Sequence, residues 1–478
     1  AYAGPVGWFP GGNKLLVLLV QEDGSAEIGF LSTADGSYQV LKTIDRFFPF
    51  QMSLSPDGRY LVYDVPLRDE PKGGDIFLLS TETDSEVPLI QHPGYDLNPV
   101  WTPNGKGVIF SSDRTGTTAL WGIQVTDGLP EGQPKLVKAD IGRFSPMGFT
   151  QAGTLYYAVQ TGMIDIYHAS YDVTAKELQE SPTPFSRRFV GSNYCPDWSS
   201  DGRYLSYLSK RSLVSNLQVG SVIVIRSLET GEEREIVPEL STFILPYLSS
   251  DGKSFLTVGR DWQGTNGVFR VDAMNGEVDL IVASTSEQRI GAPAIWSRDG
   301  KSILYTRHYA SEKRQAIELQ SLETGRTREL LSISSPESVS SLGLSRDGER
   351  LAFVRANQET DAQAICVLPI VGGEPRKLLQ VKKPEDLFRM SAIEWTPNDE
   401  EILFIKRTAN EEGSDMFEMM QISSEGGKPR RIGRPHNKRI YDLRLHPDGN
   451  TIVFTMGQAQ EFEVWAMEGF LPKELASN

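Results

Sequence analysis

The sequence predicts an all-β protein, a β-propeller of four-stranded antiparallel blades with ten blades in one ring. Three observations predict this class. A short motif recurs at near-constant spacing along all 478 residues, most copies contain a dipeptide that favours tight turns, and no helical pattern of useful length is present. The 44 glycines and 28 prolines agree with a chain that turns often.

The motif, here called the kernel, starts with an aromatic residue or leucine, here called the anchor. A serine or threonine usually follows, then a variable residue, Asp or Asn, and glycine. Asp-Gly and Asn-Gly favour hairpins because Gly and Asn tolerate the positive φ of tight turns. Neighbouring anchors are 46 to 51 residues apart. The anchors are Trp8, Leu54, Trp101, Phe149, Trp198, Leu248, Trp296, Leu344, Trp395 and Leu445.

Each repeat contains the elements of one blade. The apolar segment before the kernel is the first strand, and runs such as 59–63, rich in β-branched and aromatic residues, form the second. Runs such as 75–79 form the third strand, and runs such as 375–379 the fourth. A sheet buried on both faces between neighbours explains the continuous apolar runs. The predicted repeats are 1–43, 44–91, 92–139, 140–188, 189–238, 239–283, 284–335, 336–382, 383–434 and 435–478.

Ten blades exceed the usual number of about four to eight. Two five-bladed rings, or eight closed blades with extra sheets, are the alternatives. The even spacing favours one ring and a single domain of residues 1–478. The last repeat ends after its third strand, so we expect residues upstream of Ala1 to supply a fourth, and the chain to be part of a longer protein.

Composition excludes several classes of function. The formal net charge of −15 disfavours binding to nucleic acid or anionic membranes, and no apolar stretch reaches the roughly 18 residues that a membrane span needs. Two distant cysteines, Cys195 and Cys366, make neither a disulfide scaffold nor a zinc site. Neither a G-x-S-x-G elbow nor a complete P-loop is present. We therefore expect no catalytic residue, no metal and no cofactor.

The kernel form Trp-Thr-Pro-Asn-Gly at Trp101–Gly105, followed by an apolar strand, resembles the PD40 repeat of TolB-like, WD40-related bacterial propellers. The resemblance covers essentially the whole chain, with departures at Gly11, Ala152 and Asp399. It implies a rigid disc that binds a protein or ligand, in the periplasm, or in the cytoplasm if the disc is fused to a regulator. Some relatives are enzymes, including polysaccharide lyases.

The sequence also predicts a binding rim. Arginine recurs six to ten residues before the anchor in six repeats, on the face that carries the long, variable loops after the second strands. Guanidinium groups suit carboxylates and phosphates, although structural pairing with carboxylates such as Asp45, Asp140 or Glu385 is the alternative. The candidate binding residues are Arg46, Arg143, Arg188, Arg289, Arg389 and Arg439. Trp262 joins them as a stacking platform or partner contact, with half-buried packing as its alternative.

Two functional hypotheses follow. The first is a non-catalytic, monomeric scaffold or sensor module that binds a protein partner or small anionic ligand on the loop-rich face. The alternative is a glycan-active enzyme, a lyase or hydrolase, with its site at the channel mouth. A cluster of His, Arg and Asp or Glu in a deep pocket would favour the enzyme, and a wide, shallow channel would favour the binder.

Overall fold

The computed structural model describes residues 2–476 except 21–24, 45–48, 50, 67–73, 84, 116–117, 140, 142–143, 162–163, 186–192, 211–220, 388–392, 411–412 and 458–460. Strands form almost all of the regular structure, and they assemble into ten antiparallel sheets, here called A to J. A four-residue helix, α1 (Lys473–Ala476), lies near the C-terminus. Within the described ranges, no helix is long and apolar enough to cross a membrane.

Sheets A, B and C each contain four consecutive strands, one repeat per sheet. Their strands are β1 (Tyr2–Trp8), β2 (Lys14–Val20), β3 (Ala26–Ser32) and β4 (Tyr38–Ile44) in sheet A; β5 (Met52–Leu54), β6 (Tyr60–Pro66), β7 (Gly74–Ser80) and β8 (Glu86–Ile90) in sheet B; and β9 (Asp96–Trp101), β10 (Gly107–Ser112), β11 (Ala119–Thr126) and β12 (Leu129–Lys138) in sheet C.

Sheets D and E combine strands of the fourth and tenth repeats, contrary to the expectation of one sheet per repeat. Sheet D has the order β13-β14-β41, and in sheet E the order β16-β15-β40-β39 is joined by β17 on β15. The fourth-repeat strands are β13 (Phe144–Phe149), β14 (Leu155–Thr161), β15 (Ile164–Asp172), β16 (Glu177–Leu178) and β17 (Thr183–Pro184). The tenth-repeat strands are β39 (Arg439–Leu445), β40 (Thr451–Gly457) and β41 (Glu461–Met467).

Sheets F to J again use one repeat each. Their strands are β18 (Asn193–Trp198), β19 (Tyr204–Lys210), β20 (Ser221–Ser227) and β21 (Glu233–Ile236) in F; β22 (Thr242–Leu248), β23 (Ser254–Arg260), β24 (Asn266–Asp272) and β25 (Val278–Ala283) in G; β26 (Gln288–Trp296), β27 (Ser302–Tyr309), β28 (Arg314–Ser321) and β29 (Thr327–Ser334) in H; β30 (Glu337–Leu344), β31 (Arg350–Asn357), β32 (Ala362–Pro369) and β33 (Arg376–Lys382) in I; and β34 (Asp386–Leu387), β35 (Ile393–Trp395), β36 (Glu401–Ala409), β37 (Asp415–Ser423) and β38 (Arg430–Arg431) in J.

The kernel forms the turn between the first and second strands, as its residue types require. In sheet B the Ser55 hydroxyl donates to Asp57 Oδ1 at 2.6 Å, and Asp57 Oδ1 also accepts from the Arg59 amide at 3.0 Å. Ser55 Oγ accepts in turn from the Tyr60 amide at 3.0 Å, while Gly58 has a φ of 76°. The same Ser–Asp pair recurs in the kernels of sheets F, G, H and I. The serine and aspartate therefore satisfy the backbone of a turn that glycine makes free of strain.

The propeller class is confirmed, but the expected single ring of ten is not. Six sheets close a ring of their own: β18 packs against β22 on one side and against β39 on the other, and β26, β30 and β35 complete the cycle. The innermost strands of sheets A to D follow one another as an open series, β1, β5, β9 and β13. The ring closes after six sheets because β40 pairs with β39 on one edge and with β15 on the other, which forms sheet E beside sheet F. The assignment of residues 1–478 to one domain stays a prediction.

Apolar side chains fill the space between neighbouring sheets. One cluster between sheets I and J packs Val354, Ile365 and Val367 against Trp395 and Phe404. Another, between sheets A and B, packs Leu16, Ile28 and Phe30 against Leu61 and Leu79. Each fully buried side chain of this size stabilises the fold by about 1.5–3 kcal/mol. The inter-sheet layers thus hold the innermost strands, and the site between them, in fixed positions.

Candidate functional site: the central cavity of the ring

The six innermost strands of the ring enclose a central cavity of about 390 Å³ at the end where they lead into the kernel turns. The residue immediately before each anchor lines this cavity in all six sheets. These residues are Asp197, Tyr247, Ile295, Gly343, Glu394 and Arg444. The cavity wall is therefore made by one sequence position repeated around the ring.

A β-bulge in the innermost strands aims this position inward. The strand register shifts between Tyr194 and Asp197 and, in sheet G, between Ile244 and Tyr247. The residue three before the anchor has a positive φ at Cys195 (53°) and Leu245 (50°), and the equivalent residues of sheets I and E behave alike. A bulge re-aims the side chains that follow it, and bulges are frequent beside functional sites.

Arg444 is the electrostatic centre of the cavity. Its guanidinium donates to the Tyr247 hydroxyl at 2.7 Å and to the Leu443 carbonyl at 2.8 Å. It also lies 3.6 Å from the Asp197 carboxylate and 3.9 Å from the Glu394 carboxylate. A buried cation needs such partners, because desolvation otherwise costs several kcal/mol. Arg444 is thereby held in place by three sheets.

Two further arginines reach the cavity from kernel turns. Arg346 donates to Glu394 Oε1 at 3.3 Å, and its backbone amide donates to Asp399 at 2.6 Å. Arg298 donates from Nε to the Ser345 carbonyl of the neighbouring sheet at 2.8 Å. With Arg444, three guanidinium groups face two carboxylates in the cavity lining. Arginines therefore outnumber carboxylates among the lining residues, while the Asp399 and Asp442 carboxylates act on the same guanidinium groups from behind the lining.

Asp197 is the perturbed acid of the site. Burial raises its pKa to about 6, against the lowering effects of Arg444 and of the Leu248 amide, which donates to its Oδ2 at 3.0 Å. Nearby Glu394 adds a further raising effect. Asp197 therefore changes its charge between mildly acidic and neutral pH, and the net charge of the cavity becomes more positive as pH falls.

The tryptophan anchors of sheets C, F, H and J differ in burial. Trp101 (4% exposed) and Trp395 (1%) are almost fully buried. Trp198 and Trp296 line the cavity together with Trp395 and are half-buried. Trp296 and Trp395 donate their indole N–H groups to the Tyr247 and Gly343 carbonyls of neighbouring sheets, both at 2.9 Å. These hydrogen bonds join sheet to sheet around the cavity.

The two described members of the predicted arginine rim lie away from the cavity. Four of its members, Arg46, Arg143, Arg188 and Arg389, fall outside the described residues. Arg289 and Arg439 are exposed at the starts of β26 and β39, the strand ends opposite the cavity. At about 3.3 Å per residue, Arg439 is roughly 17 Å along the strand from Arg444. Ligand binding by the rim stays a prediction.

Trp262 is half-buried in the turn that follows β23 and makes contacts of its own. Its role as a stacking platform or partner contact also stays a prediction. Among the residues that the structure describes, no group of three or more His, Cys, Asp or Glu side chains is arranged to hold a metal ion. Both cysteines are free thiols.

Sequence reasoning missed the cavity residues although they carry a signal. Asp197, Glu394 and Arg444 are charged, yet each stands next to its anchor at the end of a strand predicted to be buried. A charge at such a position must face either a partner or a cavity. The kernel begins at the anchor, so the position before the anchor lies outside the repeated motif.

Comparisons with known proteins agree with the repeat pattern. The chain is 24% identical to the Tol-Pal system protein TolB of Helicobacter pylori over 162 residues, which are 34% of this chain and 36% of that protein. The match thus spans about a third of the relative's length. No family model matches the chain.

Solved structures with similar folds include one assigned as TolB from Agrobacterium tumefaciens, with 14% identity, a TM-score of 0.44, and coverage of 62% of this chain and 98% of that one. Another is an oligogalacturonate lyase in complex with manganese, with 13% identity, a TM-score of 0.35, and coverage of 90% and 95%. The kernels, the all-β sheets and the curated match define the class of protein, a bacterial β-propeller. Within that class, the chain is similar in sequence to TolB over about a third of its length.

Proposed function

We propose that the six-sheet ring is a non-catalytic binding module that takes a carboxylate or another small anionic group of a protein partner into its central cavity. One observation carries the proposal: Arg298, Arg346 and Arg444 converge on one cavity, whose lining contains two carboxylates. Guanidinium groups bind carboxylates through paired N–H donors, and a partly desolvated cavity strengthens these bonds.

The cavity also has apolar walls for the body of a ligand. Trp198 and Trp296 expose part of their indole rings to it, and Ile295 and Leu344 lie beside them. A cavity that combines a few fixed polar groups with aromatic walls is typical of binding sites, and it orients the anionic group towards the arginines. A volume of about 390 Å³ suits a side chain or a chain terminus of a partner, or a small polycarboxylate.

Titration with two probes tests this function. Citrate represents a small polycarboxylate, and a polyglutamate peptide represents an acidic partner segment. Arg346→Gln is expected to weaken the binding of both by about tenfold or more, because a hydrogen bond to a charged group contributes about 1.5–3 kcal/mol. Binding to the parent protein is expected to weaken with salt, since accessible charges are screened.

Arg270→Gln is the matched control, because Arg270 pairs with Asp279 at 2.7 Å on the exposed surface of sheet G, outside the cavity. Calorimetry and the shift in melting temperature report binding for each variant. If neither probe binds, or if both variants lose binding equally, the cavity is not the anion site.

An enzymatic role of the same cavity is favoured by one observation. Asp197, with its pKa raised to about 6 by burial, lies 3.6 Å from Arg444, which meets a condition for general acid or base catalysis near neutral pH. Incubation with an acidic oligosaccharide such as oligogalacturonate, followed by assays for reducing ends and unsaturated products, tests this role. Product formation that is lost in Asp197→Asn would replace the binding proposal with a catalytic one.

A further inference from the structure

Among the described residues, sheet D has three strands, in the order β13-β14-β41. Each of the other nine sheets has a further strand on the far side of its third strand. Strand β41 pairs with β14 over seven residues without a register shift, as third strands do with second strands elsewhere. Among the described residues, no strand pairs with the other edge of β41.

The outermost strands of other sheets are protected against further pairing. Strand β8 contains Pro88, β12 contains Pro130 and Lys135, and β33 contains Arg376 and Lys377. In sheets A, B, C, G, H and I, the outermost strand is also bulged against the third strand. Natural edge strands use proline, basic residues and bulges in this way to prevent pairing with other chains. Strand β41, with the sequence EFEVWAM, has none of these features.

Strand β41 has exposed side chains on both faces of sheet D. Val464 is 61% exposed and Trp465 is 50% exposed, and the side chain of Tyr156 on β14 is 43% exposed on the same face as Val464. The Trp465 indole N–H donates to Glu463 at 2.8 Å, which fixes the ring against its own strand. An exposed, regular and apolar edge is a template for a further strand.

The sequence led us to expect residues upstream of Ala1 beside the last strand of the tenth repeat, β41. We propose instead that β41 receives an extended segment of a protein partner, which adds to sheet D as its fourth strand, antiparallel to β41. Apolar side chains of this segment lie on one face of the sheet and pack against Trp465. Lys or Arg side chains alternate with them and lie on the other face, beside Val464 and Glu468, both of which are exposed. A second copy of this chain is a poorer occupant, because it would bring its own glutamates to an acidic edge.

This interface is separate from the central cavity, which contains no residue of β41. The proposed interface and the proposed function can therefore be tested independently of each other. The interface gives this chain a second surface, which binds backbone and alternate side chains rather than an anionic group.

Hydrogen exchange with a defined peptide tests the proposal. The probe is a capped peptide as long as β41 with alternating lysine and valine, and its control has proline in place of valine, which removes backbone donors. The lysine–valine peptide is expected to slow exchange at the amides of β41 and to bind more weakly at high salt. The proline peptide is expected to do neither.

Two lysine substitutions give a matched comparison. Val464→Lys places a cation on the proposed interface. It is expected to weaken binding of the lysine–valine peptide by about tenfold or more, because like charges across strands repel. Leu136→Lys alters an equally exposed apolar residue (50%) on β12, the outermost strand of the neighbouring sheet C, and is expected to leave binding unchanged. Trp465→Lys replaces Val464→Lys if that variant melts at a lower temperature than the parent.

Three results would overturn the proposal. The first is no protection of β41 by the peptide, and the second is equal weakening by the lysine substitutions on β41 and on β12. The third is a dimer, measured by light scattering, that Val464→Lys dissociates, since the edge would then be occupied by a second copy.

Discussion

The residue before each anchor has a role that differs from sheet to sheet on a common backbone. In sheets F and J it is an acid, in sheet E an arginine, in sheet G a tyrosine, and in sheets H and I it is Ile295 and Gly343. The inter-sheet hydrogen bonds of Trp296 and Trp395 support the same layer. The repeats thus fix where this position points, and its side chain sets the chemistry of the cavity.

At the residue scale, Asp197→Asn is expected to flatten the pH dependence of stability. The pKa of Asp197 is about 6 in the folded protein, raised by burial from 3.8. Between these values the folded state holds a proton that the unfolded state has released, so the free energy of unfolding falls as pH rises from about 4 to 6. The effect is on the order of 2–3 kcal/mol. Urea denaturation across this range measures it.

The matched control is Asp279→Asn, which removes an exposed carboxylate in sheet G. It is expected to keep the pH dependence of the parent. Citrate affinity provides a second readout: it is expected to rise as pH falls through about 6 in the parent, because protonation of Asp197 removes a negative charge from the cavity. An unchanged pH profile in Asp197→Asn would show that Asp197 titrates as an ordinary carboxylate.

At the element scale, α1 fastens the C-terminus to sheet C. Leu475 is 3% exposed and lies over Gly107 and Gly122, where an added Cβ would come within 2.3 and 2.5 Å of the leucine side chain. Asn104 also donates to the Leu475 carbonyl at 3.2 Å. Because the two glycines have no side chain, the Leu475 side chain of the helix can pack directly against the strands at these positions.

Leu475→Ala is expected to lower the free energy of unfolding by about 2–3 kcal/mol, near the lower end for a buried leucine, because a terminal helix detaches instead of leaving a closed cavity. Gly122→Ala is expected to displace the same side chain. A double-mutant cycle by urea denaturation should then give a double variant that loses less than the sum of the two single losses. Additive losses would show that Gly122 and Leu475 do not share a contact.

At the scale of the whole molecule, the tenth repeat joins the six-sheet ring to the open series of sheets. Strand β39 is the innermost strand of sheet E, while β41 of the same repeat belongs to sheet D. Strands β40 and β41 pair with consecutive strands of the fourth repeat, β40 with β15 and β41 with β14. One segment of chain thereby closes the ring and completes part of its neighbour.

A protein that ends at Lys438 is therefore expected to lose cooperative unfolding, because sheet E loses its innermost strand and β18 loses a neighbour. Ending the chain at Gly469 instead keeps β39, β40 and β41 and removes α1, and it is expected to preserve a single transition at a lower melting temperature. Differential scanning calorimetry distinguishes these outcomes. A cooperative transition in the shorter protein would show that the ring does not depend on β39.

The sequence by itself determined the features whose causes are local. The Ser–Asp–Gly chemistry of the kernel turn acts within a few residues, so it predicted the hairpins, the strands beside them and the antiparallel blades. The same locality explains why eight of the repeats form one sheet each. The resemblance to TolB-like propellers rested on these kernels and is confirmed.

Only the tertiary structure decided how many sheets close a ring and which charges meet. The repeats are nearly equal in length and similar in sequence. Nothing in the local sequence therefore shows whether a strand of the fourth repeat pairs within its own repeat or with the tenth repeat. Asp197, Glu394 and Arg444 belong to three repeats, and Arg444 lies within 4 Å of the two carboxylates because the ring closes at β39. Pairing and closure depend on packing between distant segments, and the energy of that packing is a property of the assembled sheets.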